Sequence, residues 1–349
     1  MSESTTGKPM MKKLGEVRGR RVSVAPGELI ESAPLRPDGP LPLRVSPVVA
    51  GVDLIQWCGS HREWICRELL ANGGILFRGF AIGSPAELER LVAALSGSLL
   101  EYSYRSTPRS DVEGRIYTST EYPADQSIPM HNEMSYSRSW PMKIWFLCAQ
   151  PAASGGETPI ADSRGVYARI DPETREAFAR KGVMYVRNYG GGLDLPWQDV
   201  FQTGDRDEVE RYCATAGIEL EWRGGDRLRT RQICQAMAVH PVMGAPVWFN
   251  QAHLFHVSSL APGVRELLLS SVSEEELPRN AYFGDGSPIP ATMLDRIRAA
   301  YSAESVAFPW QAGDVLLLDN MLTAHGRRPF SGPRKVLVGM AEPVGGPDV

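Results

Sequence analysis

The chain has 349 residues, of which 43% are apolar and 22% charged, and its formal net charge is −4. That is the composition of a soluble globular protein with ample core for one large domain or two ordinary ones. A mildly acidic balance argues against nucleic acid or an anionic membrane as the main partner. No amino-terminal apolar h-region and no run of about eighteen apolar residues is present, so a cytoplasmic protein is expected.

Lys8, Lys12, Lys13, Arg18, Arg20 and Arg21 gather near the start, and residues 1–25 read as a basic, solvated tail ahead of a single domain spanning 26–349. Residues 26–48 are rich in Pro with little periodicity and read as an extended lead-in. Leu54 to Leu70 carries apolar residues at helical spacing and stops at Asn72-Gly73-Gly74. Gly74 to Phe80 reads as a short strand. Ser84-Pro85-Ala86-Glu87 is a capping box with Pro at the first helical position, opening a helix to about Leu95. Asp171-Pro172-Glu173 opens another, a third runs from about Arg206 to Ala216, and two more fall near 262–275 and 290–301.

Between the helices lie short apolar runs bounded by Gly and Pro: Lys143 to Ala149, Val183 to Arg187, Ala245 to Phe249, Asp314 to Leu318 and Lys335 to Met340. Many short strands with long insertions suggest a β-sandwich or jelly roll with helices packed outside it. The five cysteines (Cys58, Cys66, Cys148, Cys213, Cys234) are odd in number and show no CxxC spacing, which argues against a disulfide framework or a thiolate zinc site.

Chemistry concentrates at His131-Asn132-Glu133. On a strand, residues two apart share a face, so His131 and Glu133 would aim an imidazole and a carboxylate at one point. Two His and one carboxylate make a facial triad for non-heme Fe(II). Among the six histidines, His61 sits in a charged helix, His240 in a turn before Pro241, and His253 and His256 beside Leu254-Phe255. His325 differs, because it follows an apolar strand and leads into Gly326-Arg327-Arg328, and so reads as a strand end facing a loop. Arg334 begins the next apolar strand, where a guanidinium can grip a carboxylate with two parallel hydrogen bonds.

These stretches resemble the taurine dioxygenase (TauD/TfdA) superfamily of Fe(II)/2-oxoglutarate dioxygenases, and most of all the SyrP-like amino-acid hydroxylases of natural-product biosynthesis. Gly79-Phe80, Pro129 to Tyr136, Ala153 to Pro159, Val239-His240-Pro241, Trp248-Phe249-Asn250, Asn280 to Gly286 and the His325 to Arg334 segment carry the resemblance, over residues 50 to 342. It implies a mainly β fold with surrounding helices and a double-stranded β-helix (jelly roll) core. It implies His131, Glu133 and His325 as iron ligands, with Thr158 and Arg334 binding the distal carboxylate of 2-oxoglutarate, and O2 as second cosubstrate. The acidic ligand is Glu where many relatives have Asp, and the spacing from His325 to Arg334 is shorter than in taurine dioxygenase, which leaves Arg327 or Arg328 as alternatives for the clamp. A carboxylate at 133 implies oxygen transfer over halogenation, since family halogenases carry a small residue there. The implied substrate is an amino acid, free or tethered to a carrier protein, with Arg105, Arg109, Arg187 and Arg328 as candidate anchors for its carboxylate. Desaturation or cyclisation on the same cofactors is the alternative. A zinc hydrolase is disfavoured by the absence of HExxH.

Overall fold

The computed structural model describes residues 29–37, 39–100, 104, 111–113, 115–118, 122–192 and 194–345; the basic stretch near the start, Arg105 and Arg109 lie outside these. At its centre, Val315–Asp319 pairs antiparallel with Gly74–Phe77 on one side and Ser139–Gln150 on the other, and Lys335–Gly345 pairs in turn with Ser139–Gln150. These strands belong to an eight-stranded sheet.

The run Val315-Leu316-Leu317-Leu318 is apolar without alternation because both faces of this sheet are covered. Leu316 and Leu318, with Ile144, Phe146, Val336 and Val338, pack toward Ile160, Phe308 and Trp310. Val315 and Leu317, with Trp145, Leu147 and Leu337, pack toward Trp57, Ile65, Leu69, Leu88 and Leu91 of the amino-terminal helices. Each such buried aliphatic side chain contributes about 1.5–3 kcal/mol, so the alternation locks the register of the sheet.

The helical stretch 54–70 divides in two at His61, into Leu54–Ser60 and Arg62–Asn72. Asp53 caps the first by accepting from the Ile55 and Gln56 amides, and Gly73, left-handed at φ 74°, ends the second. The Ser84–Glu87 capping box forms as read and starts Pro85–Ser96. The Pro-rich lead-in is not featureless. Ile30–Arg36 and Gly39–Pro47 form an antiparallel pair, and the second of them joins Gly74–Phe77 in parallel. Pro34 lies on the edge strand, Pro42 within the irregularity of its pairing and Pro47 at the strand end, and these prolines obscure the burial of Leu41, Leu43 and Val45.

Facing the large sheet is a three-stranded one: Ile128–His131, Thr323–Arg327 and Ile160–Asp162, with Thr323–Arg327 in the middle. Between Asp162 and Val315 the chain builds a separate layer. A four-stranded antiparallel sheet (Glu219–Arg223, Arg227–Cys234, Val183–Tyr189, Arg279–Phe283) shares a core with the helices Pro172–Lys181, Arg206–Ala216 and Ala291–Glu304. All five cysteines are free thiols and four are buried. Among the described residues, no helix is long and apolar enough to cross a membrane.

Candidate metal centre

In the three-stranded sheet His325 stands directly opposite His131, and across the other edge opposite Ile160. The two imidazole centroids are 4.5 Å apart, and Phe146 of the large sheet meets the His325 ring edge-on at 5.1 Å. Pairing slips by one residue between His325 and Arg327, a bulge of the kind that re-aims side chains beside a site. A Cβ at Gly326 would come within 2.7 Å of the Ile128 carbonyl, so the close approach of these strands requires glycine. His325 therefore sits in the middle of its own strand, and not at a strand end before a loop.

Glu133 reaches the same point by a different route from the one its spacing suggests. The strand ends at His131, and Glu133 lies in the following turn, 3% exposed, with Met134 left-handed at φ 57°. The shared strand face is thus replaced by a strained turn, yet the three groups converge. One ligating atom from each of His131, Glu133 and His325 lies within 4.8 Å of the others, and His325 Nε2 is 3.8 Å from Glu133 Oε2. Donor atoms each about 2.1 Å from one ion lie about 3–4 Å apart, so this spacing fits metal ligation. His131 Nδ1–H donates to the Pro129 carbonyl at 2.8 Å, which leaves Nε2 as the basic nitrogen of that ring. Two neutral nitrogens and one buried carboxylate on a single side suit a divalent metal with open positions, as in the non-heme iron triad.

Thr158 lies on the segment that continues the pairing beyond Ile160, through Gly326 N–H to the Pro159 carbonyl and Arg328 N–H to the Glu157 carbonyl. It is two residues from Ile160, about 7 Å along an extended chain from the level of His325. Thr158 is buried, and its Oγ1 accepts from Trp310 Nε1 at 3.1 Å, which turns the hydroxyl proton toward another acceptor. The turn on either side of Trp310 is held by Arg78, whose guanidinium grips buried Asp314 twice, at 3.0 and 2.6 Å, and donates to the Pro309 carbonyl.

Arg334 lies along Gly156: its Nε donates to the Gly156 carbonyl at 2.9 Å, and a Cβ on Gly156 would come within 3.0 Å of the arginine side chain. Arg334 and Arg327 both place their guanidinium against Phe330, at 5.5 and 5.1 Å. Burial, reinforced by the Arg327 charge, pushes the Arg334 guanidinium down to about 10. It remains charged at neutral pH, and a half-buried cation beside a like charge is a ready acceptor of a carboxylate. Arg327 is spent elsewhere, donating to the carbonyls of Tyr122, Pro123 and Gln126, and Arg328 is exposed.

The other histidines are structural. His61 Nδ1–H donates to the Trp57 carbonyl. His240 Nε2–H donates to Asp319 Oδ2 at 3.0 Å while its Nδ1 accepts from the Val242 and Met243 amides. His256 Nδ1 accepts from the Ser258 amide. His253 lies behind the metal strand and donates Nε2–H to the Met130 carbonyl at 2.9 Å. Burial pushes its imidazole down to about 4. Between that value and the free-histidine value near 6.5 only the unfolded chain binds the proton, so stability falls as pH drops through this window, by about 3 kcal/mol. Thermal melts of the apoprotein should show that loss between pH 6.5 and 4, and His253→Gln should flatten it; an equally steep variant would assign the loss to other groups. Among the candidate substrate anchors, Arg187 is fully buried, with its guanidinium 5.4 and 5.0 Å from the Tyr104 and Tyr189 rings.

Sequence reasoning did not single out Trp310 or Asn320. The signal for Trp310 was the turn Gln311-Ala312-Gly313-Asp314 ahead of an apolar strand, which marks Trp310 as the last anchored aromatic before the fold's central strand.

Residues 31–341 match the family described as Taurine catabolism dioxygenase TauD, TfdA family. The chain is 45% identical over 285 residues to the dapdiamide synthesis protein DdaC of Enterobacter agglomerans, covering 82% of this chain and 86% of that protein. It is 33% identical over 323 residues to a clavaminate synthase-like protein of Arabidopsis thaliana, covering 87% and 94%. The crystal structure of PvcB from Pseudomonas aeruginosa superposes with a TM-score of 0.55 at 14% identity, covering 93% of this chain and 95% of that one, a likeness of fold. The protein therefore belongs to the TauD/TfdA family of Fe(II)- and 2-oxoglutarate-dependent dioxygenases.

Proposed function

We propose that this enzyme hydroxylates an unactivated C–H bond of an amino acid or amino-acid-derived substrate, free or tethered to a carrier protein, in antibiotic or other natural-product biosynthesis. The observation that carries the reading is the convergence of His131, Glu133 and His325 on one point, with Thr158 and Arg334 on the adjoining segment. DdaC, the 45% identical relative, is by its name a protein of dapdiamide synthesis, which supports the biosynthetic setting. Residues 26–349 act as one catalytic domain, its stacked sheets forming the double-stranded β-helix, and the enzyme works in the cytoplasm.

His131, Glu133 and His325 would hold Fe(II), and Arg334 with Thr158 would hold the distal carboxylate of 2-oxoglutarate. The separation of about 7 Å along the chain suits a five-carbon diacid that binds the metal at its other end. When bound, this pair supplies the oxidation: 2-oxoglutarate and O2 give succinate and CO2, with one oxygen atom inserted into the substrate C–H bond. The chain's share is positional. Thr158 presents a hydroxyl proton oriented by Trp310, Arg334 offers its fork within a wall made by Gly156 and Phe330, and Phe146 closes the side of His325 against water. Glu133 would take the place that halide takes in family halogenases, which favours oxygen transfer. Desaturation or cyclisation of the substrate is the second outcome that the same site supports.

Trp310→Phe removes the bond that orients Thr158. It is expected to raise the 2-oxoglutarate KM about five- to tenfold, the effect of about 1–1.5 kcal/mol, with metal affinity unchanged. Steady-state succinate release against 2-oxoglutarate concentration measures it. The reading itself is tested by screening succinate release against amino acids, free and loaded on a carrier protein, with mass analysis for a gain of one oxygen. Turnover restricted to substrates without an amino-acid unit would overturn it, and a product two hydrogens lighter would select desaturation or cyclisation.

A further inference from the structure

We infer that Asn320, with Asn132 behind it, is a positioning residue that fixes the Glu133 carboxylate for metal ligation. The inference rests on the metal-site reading of His131, Glu133 and His325. The Asn320 side chain treats the backbone of Glu133 as a strand would: its Oδ1 accepts from the Glu133 amide at 2.7 Å and its Nδ2 donates to the Glu133 carbonyl at 2.9 Å. The same Nδ2 also donates to the Pro141 carbonyl at 2.8 Å. The clasp is reciprocal, because Asn132 Nδ2 donates to the Asn320 carbonyl at 2.6 Å and to Ser163 Oγ at 3.0 Å. Both side chains are completely buried.

The turn needs such a clasp. Glu133 leaves the strand, and Met134 after it is left-handed, a conformation that costs a non-glycine residue of order 1–2 kcal/mol. Three hydrogen bonds from Asn320, each about 1 kcal/mol net, outweigh that strain. Glu carries one methylene more than Asp, so its carboxylate has more freedom to miss the metal, and the backbone must be fixed more tightly in compensation. Only an amide side chain of this length both donates and accepts here. Aspartate would keep the acceptor but turn an anion toward the Glu133 and Pro141 carbonyls.

Asn320→Asp tests this. Co(II) affinity is titrated anaerobically on purified apoprotein, alongside the apoprotein Tm, with Asn188→Asp as a matched control. Asn188 Nδ2 likewise holds two carbonyls, those of Glu275 and Leu277, in the four-stranded sheet. The expected result is a 10–100-fold loss of Co(II) affinity in Asn320→Asp, whereas Asn188→Asp, whose carboxylate can pair with Arg229, leaves affinity unchanged. Wild-type affinity in Asn320→Asp would overturn the inference. If Asn320→Asp does not fold, Ser163→Ala, which strips one acceptor from Asn132, decides in its place: a smaller affinity loss supports the clasp and an unchanged affinity overturns it. Equal Co(II) binding by wild type and Glu133→Ala would instead remove the metal-site reading, and the inference with it.

Discussion

His325→Ala is expected to lose metal and turnover together, with Fe(II) or Co(II) affinity lower by on the order of a thousandfold, the share of one ligand in a site worth 10 kcal/mol or more. The reason is geometric. His325 lies across from His131 on the neighbouring strand, and its Nε2 faces Glu133 Oε2, so no neighbouring residue can take its place without a break in register. Its side chain is 6% exposed, and alanine there also leaves a cavity against Phe146, so the apoprotein Tm should fall as well. The control is His61→Ala: that ring bonds the Trp57 carbonyl and stacks on Trp57, and its loss should lower Tm without touching metal content. Metal analysis of the two purified variants separates a ligand from a structural histidine. Full metal content in His325→Ala would exclude the triad.

The second large effect belongs to Arg334. Arg334→Ala should raise the 2-oxoglutarate KM by on the order of a hundred- to a ten-thousandfold, since two charge-assisted hydrogen bonds at about 1.5–3 kcal/mol each are lost. Metal affinity should hold, and kcat at saturating cosubstrate should fall far less. Arg334→Lys should recover only part of the loss, because an ammonium offers a point charge in place of a planar fork. Arg327→Ala makes a pointed comparison. Its three carbonyl bonds hold the Tyr122 to Gln126 segment, so its loss should register in Tm rather than in cosubstrate requirement. A steep KM rise in Arg327→Ala with none in Arg334→Ala would transfer the clamp to Arg327.

Much of this was legible in the residues. Capping signals marked two of the helices, because Ser84 and Asp171 act through local backbone geometry that sequence encodes directly. The apolar runs 143–149 and 314–318 marked two strands of the large sheet, although burial on both of their faces emerged only with the structure. The four-stranded sheet was largely hidden, and Arg227–Cys234 shows why. Its inward positions include Thr230 and Gln232, while Ile233 points outward at 45% exposure, so hydrophobic alternation fails even though the strand is regular. Glu133 lies near His131 and His325 through a geometry other than the one read from its spacing, because a period-2 argument cannot foresee a strand that stops at His131. Trp310 and Asn320 act through bonds to residues more than 150 positions away, a relation that no local pattern records.

The middle place of Thr323–Arg327 in its sheet also orders events in time. It is the last of the three strands to be synthesised, and it must insert between two that precede it by about half of the chain's length. At ribosomal speeds of 5–20 residues per second, His131 and Glu133 emerge roughly 10–40 s before His325. A nascent or truncated chain that lacks His325 would then hold two of the three proposed ligands and should grip metal poorly. On the proposed assignment, metal binding waits until Thr323–Arg327 has inserted between its two neighbours.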